Sequence, residues 1–401
     1  MSIPKRWLSF IIILGVFAAA FSQISKSPSF KRVYFDYQSR IELTVTLKQT
    51  GAPIPADKPT GDFFPVGFCA VSNPADFQHF RGTHLNVIHT YQLNWVKDEN
   101  YIKNFLDEVH RAGLKVTFDP AVRYTKKSEK GSLKLAKARI DMFKDHPALL
   151  AWYLADEPFN TDMPLKNIKK IHKYIKKVDP DHPTWLVEAH PKWRREEYYP
   201  RLRGITDIMC VETYLKSKFP ISYIGEYIAA VRDYCPGQPI WMVAEAFAED
   251  VVSSFPSAEE IRAQTYEGLI DGASAMLYFG FKRGEKPYHQ ILNYPRQWNE
   301  IKRLAEEIYN LKGAWQSPSI PLGELPEEIN IALKQYGDWY MLAALNREQR
   351  LLSLNLKTEG DFLRGYTFRD YYSKVEDFRF EGELNWDFKP FEVKIFWLIP
   401  G

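Results

Sequence analysis

The sequence predicts an α/β fold: a (β/α)8 TIM barrel followed by a small C-terminal antiparallel β-sandwich. Three observations lead there. Between residues 61 and 314, short apolar runs alternate with amphipathic stretches, and eight such strand-then-helix units can be counted. Two runs, Leu149-Leu-Ala-Trp-Tyr-Leu-Ala-Asp-Glu-Pro158 and Pro239-Ile-Trp-Met-Val-Ala-Glu-Ala-Phe247, stay apolar until they end in acids. Buried parallel strands read this way when they deliver a carboxylate to the rim of a sheet. Beyond Pro318 the pattern changes to short runs with period-2 alternation.

The N-terminus, residues 1–22, reads as a signal peptide. Lys5 and Arg6 precede an apolar stretch at 7–21, whose 15 residues fall short of the roughly 20 that span a membrane. The chain is therefore expected to be exported, periplasmic or extracellular, with an uncleaved anchor as the alternative. Residues 23–60 hold one strand and a linker. Ile41, Leu43, Val45 and Leu47 alternate with polar residues, and 51–61 is rich in Pro and Gly. The strand at 41–47 precedes the barrel and is a candidate member of the sandwich.

The barrel strands are expected at 64–71, 85–91, 114–122, 149–156, 184–190, 207–215, 240–247 and 274–281. Helices fall between them. In 98–112, Ile102, Phe105, Leu106 and Val109 keep a helical period that Gly113 ends. Pro164 sits where a first helical residue would, before Leu165, Ile168, Ile171 and Ile175, and the lysines of that helix read as a solvated face. Ser257-Ala-Glu-Glu260 is a capping box opening a helix that Gly272 closes. A last helix at about 296–312 completes the barrel. Within 319–401, alternating runs at 328–334, 339–345, 351–356 and 391–398 give the sandwich.

Bulk composition excludes several classes. The net charge is +3, with basic and acidic residues interspersed, which argues against a nucleic-acid surface. Three cysteines, Cys69, Cys210 and Cys235, are too few for a disulfide framework. The nine histidines show no His-x-His and no His-Glu-x-x-His, so no metal is expected and no cofactor is implied. No Gly-x-Ser-x-Gly elbow or phosphate-binding loop occurs.

Strand alternation then ranks the acids. In the fourth strand, Leu150, Trp152 and Leu154 share one parity and suit the helix layer. Ala151, Tyr153, Ala155 and Glu157 share the other, so Glu157 is expected over the barrel mouth and Asp156 turned sideways. In the seventh, Trp241, Val243, Glu245 and Phe247 share a parity. The fifth offers Glu188 and His190, the sixth Glu212 and Tyr214. His89 and Tyr91, then Asp119 and Arg123, end or follow the second and third strands; packing or a surface ion pair is the competing reading for each. Two carboxyls about 5–5.5 Å apart serve a retaining attack on a glycosidic bond. Crowding by Asp156 would help Glu157 keep its proton. That favours Glu157 as general acid and base and Glu245 as nucleophile, with Glu212 the rival nucleophile.

This pattern resembles the clan A glycoside hydrolases, the 4/7 superfamily, over about residues 61–314. Their acid/base Glu ends strand four, often in Asn-Glu-Pro, and their nucleophile Glu ends strand seven. Asp156-Glu157-Pro158 and Glu245 in Val-Ala-Glu-Ala-Phe match these sites. The resemblance implies that Tyr214, after strand six, holds the nucleophile. It also implies that residue 156 contacts the sugar 2-hydroxyl, where an ionised Asp156 can only accept a hydrogen bond. After strand eight, where the clan tends to place a stacking Trp, this chain has Tyr278, Phe279 and Phe281. The expected activity is hydrolysis of O-glycosidic bonds in a carbohydrate substrate by a monomer. Transglycosylation and a catalytically inert carbohydrate-binding barrel are the alternatives.

Overall fold

The computed structural model describes residues 40–120, 129–161, 163–189, 192–216, 218–248, 254–281 and 289–401. The expected signal segment, Arg123 and His190 lie outside these described residues. After β1 (Arg40–Leu47), eight parallel strands close into a barrel. They are β2 (Val66–Phe68), β3 (Val87–Thr90), β4 (Lys115–Phe118), β5 (Leu149–Asp156), β6 (Thr184–Glu188), β7 (Ile208–Glu212), β8 (Ile240–Glu245) and β9 (Met276–Phe279). Each falls inside one of the expected apolar runs.

The runs are apolar on both faces because both faces are buried. Val87, Tyr153, Trp185, Val187, Cys210, Trp241, Val243 and Leu277 fill the interior. Phe68, Val116, Trp152, Leu186, Met209, Val211 and Met242 pack under the helices. The helices are α1 (Glu99–Arg111), α2 (Glu129–Phe143), α3 (Leu165–Val178), α4 (Lys192–Leu202), α5 (Ser222–Tyr234), α6 (Ala258–Ile270) and α7 (Pro295–Trp315). The buried residues of α1 are Ile102, Phe105, Leu106 and Val109, the four its period selects. The capping box at the start of α6 forms as expected, with Ser257 and Glu260 bonding each other's backbone amides. Pro164 is the cap of α3 rather than its first residue. The first crossover is a 3-10 helix, Pro74–Phe80, in place of an α-helix.

The C-terminal domain has two sheets facing a shared core. One orders β1, β12 (Leu351–Thr358) and β15 (Glu383–Phe388). The other orders β10 (Ile329–Tyr336), β11 (Trp339–Asn346), β16 (Val393–Ile399), β13 (Thr367–Asp370) and β14 (Phe378–Arg379). Val45, Leu47, Leu354, Leu356 and Trp386 from the first sheet meet Leu333, Phe368, Phe396 and Leu398 from the second. The expected antiparallel arrangement holds except at β1, which pairs parallel to β12 from Arg40↔Leu351 to Leu47↔Thr358. No hairpin links these two strands. The whole barrel, followed by β10 and β11, lies between them, and so long a crossover permits parallel pairing.

Two buried polar clusters join the domains. On α6, Glu267 takes Arg347 Nε at 2.9 Å and Asn330 Nδ2 at 3.0 Å from the C-terminal domain. Arg262 bonds Glu307 of α7 at 2.8 Å and the Tyr372 hydroxyl at 3.1 Å. Among the described residues no helix is long and apolar enough to cross a membrane.

Candidate active site

The C-terminal ends of the barrel strands gather the acids, and the backbone there is strained. Ala70, Glu157 and Lys216 follow β2, β5 and β7 closely, and all have positive φ, at 63°, 42° and 49°. A left-handed conformation at a residue with a side chain costs on the order of 1–3 kcal/mol, and such residues cluster at functional sites.

On β5 the structure changes the expected parity. The pairing of β5 with β6 shifts between Tyr153 and Ala155, so Tyr153 lies opposite Trp185 while Ala155 lies opposite Leu186 and Asp156 opposite Val187. One extra residue in a bulge reverses the alternation beyond it. Ala155 accordingly packs in the helix layer, and Asp156 takes the interior face with Tyr153 and Val187. The Tyr153 hydroxyl donates to Asp156 Oδ1 at 2.9 Å. Asp156 is thus the inward acid, not the sideways one that unbroken alternation gives.

Glu157 reaches the rim by a different route. Its backbone N–H still donates to Val187 O at 3.1 Å, extending the sheet pairing by one bond. The chain then turns sharply, and the Glu157 carbonyl accepts from the Asn160 and Thr161 amides at 2.9 and 3.0 Å. Burial raises its carboxyl above the usual range, and the Asp156 charge adds to this. The Asn160 side chain and the Lys216 charge pull the other way.

Glu245, the last residue of β8, shares the interior parity of Trp241 and Val243, as expected, and is buried. Lys216 N–H donates to its Oε2 at 2.9 Å, and the Glu245 backbone N–H donates to the Gln264 side chain on α6 at 3.1 Å. Burial pushes its carboxyl up to about 7, against the pull of the Lys216 amide.

Glu212 ends β7 on the interior face that carries Ile208 and Cys210. Burial, then the charges of Asp156, Glu157 and Glu188, drive its carboxyl well above the carboxylate range. The Tyr214 hydroxyl donates to Glu212. Tyr214 was expected to hold Glu245, and the amide of Lys216 occupies that role instead. Sequence reading missed Lys216 and Gln264. Nothing in Tyr-Leu-Lys-Ser-Lys marks the first lysine over the second, and Gln264 is one polar residue within a helix.

Glu188 is brought near these acids but from behind the wall. Trp185 and Val187 point inward and Leu186 outward, so alternation turns Glu188 toward the helix layer. There it is fully buried and accepts the Ala189 amide at 3.1 Å. Burial pushes it up to about 8, so it is largely protonated at neutral pH.

Aromatic rings line the mouth. Phe279 shares the face of Leu277, while Tyr278 and Phe281 pack in the outer core. The Phe279 ring lies 5.4 Å from Phe247 and 5.9 Å from Tyr214. Across the barrel, Tyr91 lies edge-on to His89 at 4.4 Å and 6.0 Å from Tyr153. His89 Nδ1 bonds the Thr117 hydroxyl at 2.9 Å, and Asp119 follows on the same parity as Thr117, buried. Tyr91, Asp119, Asp156, Glu212, Tyr214, Glu245 and Phe279 thus converge on one mouth. Among the described residues no group of three or more His, Cys, Asp or Glu is arranged to hold a metal ion.

No protein-family model matches the chain, and no curated protein matches its sequence. Solved structures resemble it in fold. A β-galactosidase from the psychrophilic Marinomonas ef1 is 10% identical with a TM-score of 0.53, over 62% of this chain and 60% of that one. A GH42 β-galactosidase from G. stearothermophilus is 8% identical with a TM-score of 0.59, over 84% and 98%. An α-amylase from Anoxybacillus is 11% identical with a TM-score of 0.57, over 92% and 99%. The chain spans 60% and 59% of the length of the β-galactosidases from Marinomonas ef1 and Rahnella sp. R3. At such identities the likeness speaks for the fold. The chain therefore shares its barrel architecture with these β-galactosidases and this α-amylase.

Proposed function

We propose that this chain is an exported retaining glycoside hydrolase that cleaves O-glycosidic bonds of a poly- or oligosaccharide by double displacement. One observation carries the reading. A Glu follows the end of the fourth barrel strand and another ends the seventh, both on the C-terminal rim, and burial raises the proton affinity of both. Barrel enzymes work at this rim, and two such carboxyls are what glycosidic cleavage uses. The aromatic mouth suits a sugar, and the barrels it resembles include β-galactosidases and amylases.

In the first step ionised Glu245 forms a bond to the anomeric carbon. The bond from that carbon to the leaving oxygen breaks, and Glu157 gives that oxygen its proton. In the second step Glu157 takes a proton from water, the water oxygen bonds the anomeric carbon, and Glu245 leaves as carboxylate. A sugar hydroxyl in place of water gives transglycosylation. The working state therefore holds one proton on the pair, with that proton on Glu157. Glu212 suits the nucleophile's role less well, because burial and three neighbouring acids disfavour its ionised form.

The test is a panel of aryl glycosides and polysaccharides offered to wild type, Glu157→Ala and Glu245→Ala. Each variant is expected to lose roughly 10²–10⁴-fold in kcat, the span typical of a lost acid or base group. Azide should rescue Glu245→Ala and yield a glycosyl azide of inverted anomeric configuration. Undiminished hydrolysis in either variant contradicts the assignment, and sugar binding without turnover by wild type favours a binding protein. Export rests on residues 1–22 alone; fractionation should find a secreted or periplasmic form processed near residue 22, and a full-length membrane-bound form would contradict it.

A further inference from the structure

The loop after β7 carries a cation, Lys216, whose charge acts on both candidate catalytic carboxyls. The backbone amide of Lys216 sits 2.9 Å from Glu245 Oε2. Its positive charge is felt by Glu245 on β8 and by Glu157 at the end of β5. Lys216 is half-buried, whereas Lys218, two residues on, is exposed. The φ of Lys216 is 49°, a conformation that glycine adopts without penalty and lysine does not. A glycine would supply the same amide at less steric cost. What the lysine adds is its side chain.

We propose that Lys216 is a positioning residue for Glu245, fixing one carboxylate oxygen with its backbone N–H and favouring the ionised form with the ammonium of the same residue. The inference rests on the assignment of Glu245 as nucleophile. Double displacement needs the single shared proton on Glu157 and not on Glu245. Glu245 is buried and Glu157 only half-buried, so burial alone would leave the proton on Glu245. The choice falls to the groups around each carboxyl. Glu245 meets the amides of Lys216 and Leu215 and the Lys216 charge, with the Glu260 charge on α6 opposing. Glu157 meets Asp156, Asn160 and the Lys216 charge, and its own charge acts on Glu188 and Glu212. Lys216 thus acts on Glu245 through both an amide and a charge, and on Glu157 through its charge alone. Its net effect moves the proton toward Glu157, the tautomer that the first step requires.

The test compares Lys216→Gly, Lys216→Arg and Lys218→Ala in the full chain. Lys216→Gly keeps the amide and suits the backbone, so it removes the ammonium alone. Carbon-13 NMR titration of labelled Glu carboxyls, with Glu245 assigned by its loss in Glu245→Gln, should place Glu245 near 7 in wild type. A nearby positive charge lowers a carboxyl pKa, so removing it should raise the Glu245 midpoint, by roughly half a unit to one unit. Lys216→Arg should restore the wild-type midpoint, and Lys218→Ala should leave it unchanged. In kinetics on the best aryl glycoside, the kcat/KM optimum of Lys216→Gly should move to higher pH, with kcat rather than KM carrying the loss. An unchanged Glu245 midpoint in Lys216→Gly overturns the inference, even if Glu245 proves essential for hydrolysis. A shifted midpoint in a protein whose hydrolysis does not need Glu245 overturns the assignment of Glu245 as nucleophile and leaves the Lys216 contact standing.

Discussion

At the residue scale, the site is a set of carboxyls whose surroundings differ. Glu245 keeps two backbone amides and a neighbouring cation, so it can ionise. Glu188 is sealed behind the wall and held up to about 8 by burial. Glu188 therefore has a consequence for stability that is separate from catalysis. Its folded pKa lies above the ordinary glutamate value, so the folded state holds a proton that the unfolded state releases. As pH rises from the ordinary value of about 4.5 toward 8, folding loses stability from this group. Glu188→Gln cannot titrate. It should raise the melting temperature over wild type by several degrees at pH 8 and by less at pH 5, as thermal unfolding at the two pH values can show. An equal effect at both would contradict the assigned protonation. Glu157, Glu245 and Glu212 were legible in the sequence as acids ending apolar runs. The roles of Asp156 and Lys216 were not, because a bulge and a left-handed turn set them, and neither leaves a mark in residue type.

At the element scale, all eight barrel strands were legible, because buried parallel strands are continuous apolar runs closed by turn residues. What escaped was finer. The bulge in β5 depends on how that strand registers with β6, which a single strand's pattern does not contain. The strand β15 does carry a signal, since Leu384, Trp386 and Phe388 alternate with Glu383, Asn385 and Asp387, although it lies outside the runs expected for the sandwich. By contrast β13 and β14 have four and two residues, too short for any period. The end of β9 shows how tightly the rim is built. Gly280 has φ 135°, and a Cβ there would lie 2.0 Å from the carbonyl oxygen of Ala246, the residue after Glu245. Gly280→Ala must push that carbonyl aside and pay about 1–3 kcal/mol for its backbone alone. It should lower both the unfolding midpoint and kcat, measured by denaturant titration and by turnover. A variant with wild-type kcat would show that the position of Glu245 does not depend on this contact.

At the scale of the whole molecule, the barrel is threaded through its own appendage. The chain enters through β1 in the sandwich, builds the barrel, and returns to finish the sandwich. The two domains are locked by polar contacts at α6 and α7, where Glu267 is fully buried against Arg347. Removing one partner of a buried ion pair strands the other, at about 3–5 kcal/mol. Arg347→Ala should therefore destabilise the protein by that order in denaturant unfolding, and pairing it with Glu267→Leu should recover most of the loss. Equal loss in single and double variants would contradict a stranded charge. The central claim remains that Glu245 is the nucleophile of this barrel. An activated 2-deoxy-2-fluoro glycosyl fluoride of the preferred sugar, followed by peptide mass spectrometry, tests it most directly. The fluorine slows both steps and the fluoride leaving group keeps the first ahead, so the glycosyl-enzyme accumulates. The account predicts one sugar adduct, on the peptide bearing Glu245. An adduct on the peptide bearing Glu212, or steady turnover with no adduct at all, would contradict it.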